Sequence, residues 1–172
     1  MLYYLAYGSN LHPLRLQERI SSARLVGTVS LPGYRLAFHK RSDVDASGKA
    51  SLVEAETEQV AHGAVYEIAE KQKQLLDRFE GLGVGYHERT IPLSINGGDY
   101  LCFYYMANSS HLDDSLSPLD WYKGLVITGA RYHCFPLPYI RELEKVDTIR
   151  DDDRKRSRKY HVLLDQMLGS GN

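Results

Sequence analysis

Cysteine is scarce: Cys102 and Cys134 are the only two in 172 residues. A disulfide framework and a CxxC site are thereby excluded, and both thiols, set in apolar surroundings, read as reduced core residues of a cytoplasmic protein. Long hydrophobic runs are missing as well. No stretch is apolar for long enough to span a bilayer and no signal peptide precedes the first apolar segment, so no membrane association is expected. Charge of neither sign dominates: 21 Lys and Arg against 22 Asp and Glu give a formal net charge of −1, leaving no global field to attract nucleic acid. The seven histidines include no HExxH and no paired Cys/His spacing, so no metal site is expected.

What is present is an ordinary globular composition, 43% hydrophobic and 25% charged, in a chain long enough for one domain with a sizeable core. The exception is tyrosine, at 13 residues against 4 phenylalanines. A buried phenol wants a hydrogen-bond partner, so the excess suits either a polar-lined cavity or half-buried strand faces.

The pattern along the chain gives an α+β protein with a mixed, mainly antiparallel, barrel-like sheet and flanking helices. Leu2–Gly8 reads as a strand. A short helix follows with Pro13 in its first turn and Leu14, Leu16 and Ile20 among its apolar positions. ARLVGTVSL and YRLAFHKR read as strands joined near Pro32-Gly33, and ASLVEAE and AHGAVYEI as two more. In AEKQKQLLDRFEG the period becomes helical, with Leu75, Leu76 and Phe79 on one face and Gly81 as the stop. YHERTIPLSI and DYLCFYYMA form a hairpin across Asn96-Gly97-Gly98. Ser117-Pro118 opens a helix that places Leu119, Tyr122, Val126 and Ala130 together, and PLPYIRELEKVD supplies another. Residues 1–147 are read as the domain. Residues 148–172, with their DDDRKRSRK blocks, are read as a solvated, partly helical extension, frayed at the final GSGN and either dispensable for chemistry or serving only to cover or associate.

Two segments invite a chemical reading. The first strand runs straight into Gly8-Ser9-Asn10, residue types that turn the chain and expose backbone N–H groups. The tip is no phosphate loop, because no Lys follows at the required spacing, and no nucleophile elbow, because Ser9 lacks the Gly-x-Ser-x-Gly flanks. The second segment is LLDRFEGLGVGY, where Glu80 closes a helix. A carboxylate there meets the negative end of the helix dipole, an unfavourable place for charge that a function would justify. Gly81, Gly83 and Gly85 after it let the backbone turn sharply or pass close to a ligand.

YLAYGSNL, LLDRFEGLGVGY and SPLDWYKGLVITGARYHCFPLPYIRELEKVD occur in the order and at the distances found in γ-glutamylcyclotransferases, and the chain resembles that family over most of residues 1–147. Weaker likenesses lie in LPGYRLAFHK and AHGAVYEI. The resemblance implies a catalytic glutamate at Glu80. It implies a substrate loop over Tyr4, Leu5, Ala6, Tyr7, Gly8 and Ser9, with Asn10 adjoining, and substrate-facing tyrosines at Tyr86 and Tyr122. It further implies a small γ-glutamyl substrate and an intramolecular aminolysis that releases 5-oxoproline without a cofactor. The acceptor side stays open among γ-glutamyl amino acids, peptides, amines and biosynthetic intermediates, and oligomeric state stays open too. Two other readings stand beside this one: a non-catalytic binding protein for amino-acid-like ligands, and an enzyme of a different class with Ser9 as nucleophile and a histidine base.

Overall fold

The computed structural model describes residues 1–170. The apolar opening forms strand β1, Leu2–Ala6, and lies at the middle of the main sheet. It pairs antiparallel with β5 (Val60–Ile68) on one side and parallel with β7 (Gly98–Ala107) on the other. β2 (Arg24–Pro32) and β6 (Tyr86–Ile95) take the edges, giving the order β2-β5-β1-β7-β6. With neighbours on both sides, β1 reads as a continuous apolar run instead of an alternating one, and Leu5 and Ala6 are fully buried.

The hairpin from β6 to β7 turns at Asn96 and Gly97, both left-handed at φ 51° and 82°, with Ile95 opposite Gly98. Two consecutive positive φ values are what a type I′ turn requires, and Asn-Gly supplies them. Asn96 also donates from Nδ2 to the Val26 carbonyl at 3.2 Å, so the two sheet edges meet at one corner. No ladder closes between them, and the sheet is curled without being a barrel. β3 (Tyr34–Arg41) and β4 (Gly48–Glu54) form a separate ribbon, whose pairing shifts register between Ala37 and Lys40.

Among the described residues, five α-helices flank the sheet. α1 is short, Pro13–Gln17, and buries Leu16. α2 covers Lys73–Glu80 after a single 3-10 turn. α3, Asp120–Tyr132, begins two residues after Pro118 and buries Trp121, Tyr122, Leu125, Val126, Gly129 and Ala130, the spacing of a core-facing stripe. α4 spans Leu137–Glu144. Among the described residues no helix is long and apolar enough to cross a membrane.

Three expectations need correction. Of the α2 trio only Leu76 is buried; Leu75 and Phe79 are 40% and 50% exposed, because this helix of eight residues touches the body along a single line. Cys134 is exposed, unlike Cys102, and both are free; it sits at φ 53° just past the end of α3, where the chain turns outward. Most of the extension is exposed, but one face of it is docked. Arg154–Gly169 forms α5, which packs on α3 and buries Leu163 and Met167, while Tyr160 stacks on Trp121 with ring centroids 3.9 Å apart. Residues 160, 163 and 167 share one helical face, so the charged blocks hide an amphipathic stripe. The fraying expected of the last four residues falls partly on 171–172, outside the described residues.

Candidate active site

Beyond Ala6 the chain leaves the sheet and turns over Gly8–Leu11, with Leu11 N–H donating to the Gly8 carbonyl at 3.1 Å. A side chain at Gly8 would put its Cβ 2.9 Å from the Ala50 Cβ, so only glycine lets β1 and β4 approach this closely. α3 holds the far side of the turn. Its Gly129 admits the backbone of Leu11 and His12, where a Cβ would come within 2.5 Å of Leu11. Tyr66 and His133 both hydrogen-bond the Leu11 carbonyl. The tip is therefore rigidly held while the N–H groups of Ser9 and Asn10 donate to no acceptor among the described residues.

α2 delivers Glu80 to the same place. The helix ends in a Schellman arrangement: Gly81 is left-handed at φ 65°, Leu82 N–H reaches the Asp77 carbonyl at 2.9 Å and Gly81 N–H reaches that of Arg78 at 3.3 Å. The carboxylate at this terminus is not bare. Its Oε1 accepts from Asn10 Nδ2 at 2.9 Å and from Arg19 Nη1 at 3.0 Å. Arg19 also donates to Asn10 Oδ1 at 3.1 Å, and Asn10 Nδ2 reaches the Tyr4 hydroxyl at 3.1 Å. The Glu80 side chain is 16% exposed, and its second oxygen, Oε2, accepts no hydrogen bond among the described residues. One oxygen is pinned and the other is free.

The inner pocket around this group is walled by Tyr4, Tyr7, Tyr86, Tyr105 and Tyr122, with Gly8, Ser9, Asn10, Ala50 and Glu80. The phenols are mostly committed to the framework. Tyr7 donates to the Tyr105 carbonyl, Tyr105 to Asp77 Oδ1 at 2.6 Å and Tyr86 to the Ala50 carbonyl at 2.8 Å, while Tyr122 accepts from Ala50 N–H at 3.1 Å. Burial raises the pKa of all five, and the Glu80 charge adds to the effect; Tyr122 is pushed up to about 12. They stay protonated near neutrality, which leaves Glu80 as the one carboxylate on this wall. The pocket is narrow, about 20 Å³, and opens into an outer cavity of about 330 Å³ that shares Ser9, Glu80, Tyr86 and Tyr122.

Of the residues named from sequence, Tyr4, Tyr7, Gly8, Ser9, Asn10, Glu80, Tyr86 and Tyr122 meet in this pocket. Leu5 and Ala6 do not line it. A side chain on Gly63 would collide with Leu5, and Ala6 lies opposite Ala64 in the ladder, so both serve the sheet. Sequence reasoning missed Arg19, Tyr105 and Ala50. Arg19 carried one signal, a cation four residues after Arg15 beside an otherwise apolar helix; Tyr105 sits in the aromatic run Phe103–Tyr105, which marks no member above the others.

The γ-glutamyl cyclotransferase, AIG2-like family matches residues 4–124, well over half of the chain. This chain belongs to that family. It is 27% identical over 153 residues to a γ-glutamylcyclotransferase of Bos taurus, covering 84% of this chain and 78% of that protein. It is 26% identical over 151 residues to the Homo sapiens γ-glutamylcyclotransferase, with the same coverage of 84% and 78%. A solved γ-glutamyl cyclotransferase superimposes with a TM-score of 0.82 over 96% of this chain and 98% of the other, at 23% identity, a likeness of fold. Both halves of the pocket, the tip after β1 and the end of α2, fall inside the part of the chain that carries the family match.

Proposed function

We propose that the protein is a γ-glutamylcyclotransferase in which Glu80 is the acid–base group. The observation that carries this reading is the meeting of Glu80 with the Gly8–Asn10 tip, 70 residues apart in sequence, through a 2.9 Å hydrogen bond that leaves one carboxylate oxygen free. A γ-glutamyl compound carries its own nucleophile, an α-ammonium, and its own electrophile, the γ-carbonyl. The enzyme's task is to fold one onto the other and to manage protons.

At neutral pH an α-ammonium, with a pKa of about 8, is mostly protonated and cannot attack. Glu80 Oε2 takes a proton from it. The freed nitrogen adds to the γ-carbonyl, the carbonyl oxygen gains negative charge, and the amide C–N bond then breaks. Across the reaction the α-nitrogen gives up two protons and the released amine gains two, so the group that takes a proton must also return it; a carboxylate does both. The products are 5-oxoproline and a free amine. The unused N–H groups of Ser9 and Asn10 suit the developing oxyanion or the substrate α-carboxylate, while Tyr122 and Tyr86 brace the facing strand at Ala50. In this scheme Ser9 forms no covalent bond. A small γ-glutamyl molecule is the partner, and the free thiols of Cys102 and Cys134 fit a reducing cytoplasm.

The test is Glu80→Gln, nearly isosteric and still able to hydrogen-bond Asn10, but unable to accept a proton. Release of 5-oxoproline from γ-glutamyl peptides should fall by roughly 10²–10⁴, with the melting temperature little changed. Near-normal turnover by this variant would remove Glu80 from the mechanism.

A further inference from the structure

The outer cavity holds a charge that the proposed proton chemistry does not use. Of the cations on its wall, Arg19 is held by Glu80, Lys49 by Asp45 and Arg156 by Asp151. Lys40 has no carboxylate and no hydrogen-bond acceptor among the described residues, although it is only 7% exposed. Burial disfavours its charge, which Asp43, Glu80 and Asp45 support only from beyond contact distance, so its position calls for a reason.

The fold takes trouble to put it there. Strand β3 shifts register between Ala37 and Lys40, and Phe38, His39 and Lys40 are all buried in succession, which a regular alternating strand would not allow. Such bulges re-aim side chains next to functional sites. After the shift Lys40 stands directly opposite Lys49, a like-charge cross-strand pair that is unfavourable by itself. The ammonium lies 5.0 Å from the centroid of the Tyr86 ring, the ring that walls the inner pocket. It passes over Gly85, where a Cβ would come within 2.4 Å of Nζ. A second cation on the same wall, Arg15, is 5% exposed; its Nη1 pairs with Glu18 at 3.2 Å, while its Nε has no partner.

We propose that Lys40, supported by Arg15, forms a leaving-group subsite that binds a carboxylate on the amine to be released, so that the enzyme prefers γ-glutamyl amino acids and peptides with a free carboxylate to γ-glutamyl amines and amides. This rests on the reading of the inner pocket given above. With the γ-glutamyl end at Glu80, the leaving group projects past Tyr86 into the outer cavity, and the carboxylate of a released amino acid is two bonds from the scissile nitrogen. An anion there supplies the contact partner that Lys40 lacks and offsets its opposition to Lys49.

The experiment compares γ-glutamyl-alanine with γ-glutamyl-alaninamide, which differ in that carboxylate alone. For the unaltered enzyme kcat/KM should favour the free acid by about 10- to 100-fold, the worth of one charge-assisted hydrogen bond. In Lys40→Met the ratio should fall to near one. Gly85→Ala removes no charge but pushes the ammonium aside, and it should lower the ratio too. A merely structural role for Lys40 would depress both substrates alike and keep the ratio, which would overturn the proposal, as would equal turnover of the two by the unaltered enzyme. Should neither compound yield 5-oxoproline, the proposed function fails, and titration calorimetry with Glu80→Gln then decides the subsite separately. Tighter binding of the free acid, lost in Glu80→Gln combined with Lys40→Met, supports it; equal binding of acid and amide sinks it.

Discussion

Ser9 and Glu80 sit on one pocket wall, yet the two candidate chemistries rank them oppositely. If Glu80 moves the protons, Ser9→Ala keeps the backbone N–H groups of the tip and should lower turnover far less than Glu80→Gln, with no acyl-enzyme detectable by intact mass. A Ser9 nucleophile would reverse that order and leave a trapped adduct. Gly8 makes a second, steric case. Gly8→Ala places a methyl 2.9 Å from Ala50 Cβ, an overpacked contact worth roughly 1–3 kcal/mol, and should lower both stability and 5-oxoproline release. Adding Ala50→Gly should restore part of each; a double variant no better than the single would show that the clash is not the cause. Residue identity also set how far the site could be read in advance. Gly8, Asn10 and Glu80 are unusual for where they stand, a strand tip and a helix end, and that made them visible. Arg19 is an ordinary surface-type residue whose role exists only because the fold brings Glu80 to it, and its spacing from Arg15 is too weak a local mark to single it out. Lys40 was hidden by a bulge, since register shifts leave no trace in an alternation pattern.

At the scale of elements, strands and turns were legible where local chemistry decides them. The Asn96-Gly97 turn and the Gly81 stop each need a left-handed residue, and the sequence supplies one at each. The pairing of those strands was less visible: β2 pairs with β5 and not with β3, a long-range choice made by packing. The helicity of α5 was legible, but its docking was not, because charge density masked its apolar face. Its start is capped by Asp153, which accepts from the N–H groups of Lys155 and Arg156, and anchored by Asp151, whose carboxylate takes Arg156 through two bonds of 2.7 and 2.5 Å and Trp121 Nε1 at 2.8 Å. The Arg156 guanidinium, with help from the indole N–H, holds that carboxyl down to about 2 against an ordinary 3.8. A depressed carboxyl pKa adds stability that is fully present above its unfolded value and is lost as pH falls through the folded one. Stability should therefore drop between about pH 4 and pH 2 in part through this group. Asp151→Asn should flatten that stretch of the acid-unfolding curve and cost roughly 1.5–3 kcal/mol at pH 7. An unchanged acid limb would mean that other carboxylates govern it.

For the whole molecule, the question is where the domain ends. A boundary at residue 147 follows from sequence, but α5 lies against α3, and Arg156 and Tyr160 form part of the outer cavity wall. We propose that residues 148–169 fold as part of the same cooperative unit as the sheet. The chain carries its own reporter, since Trp121 is the single tryptophan and stacks on Tyr160 across the α3–α5 contact. Its fluorescence follows the junction, while far-UV circular dichroism follows helices and strands together. If the tail belongs to the unit, urea transitions by the two probes should coincide. Truncation after Asp147 should then lower the midpoint or prevent folding, because it uncovers Trp121 and the face of α3 at Gly124 that receives Leu164, and strips α5 from the mouth of the cavity. A dispensable extension makes the opposite prediction: the fluorescence change precedes the loss of secondary structure, and the truncated chain unfolds at the midpoint of the full one with its 5-oxoproline release intact.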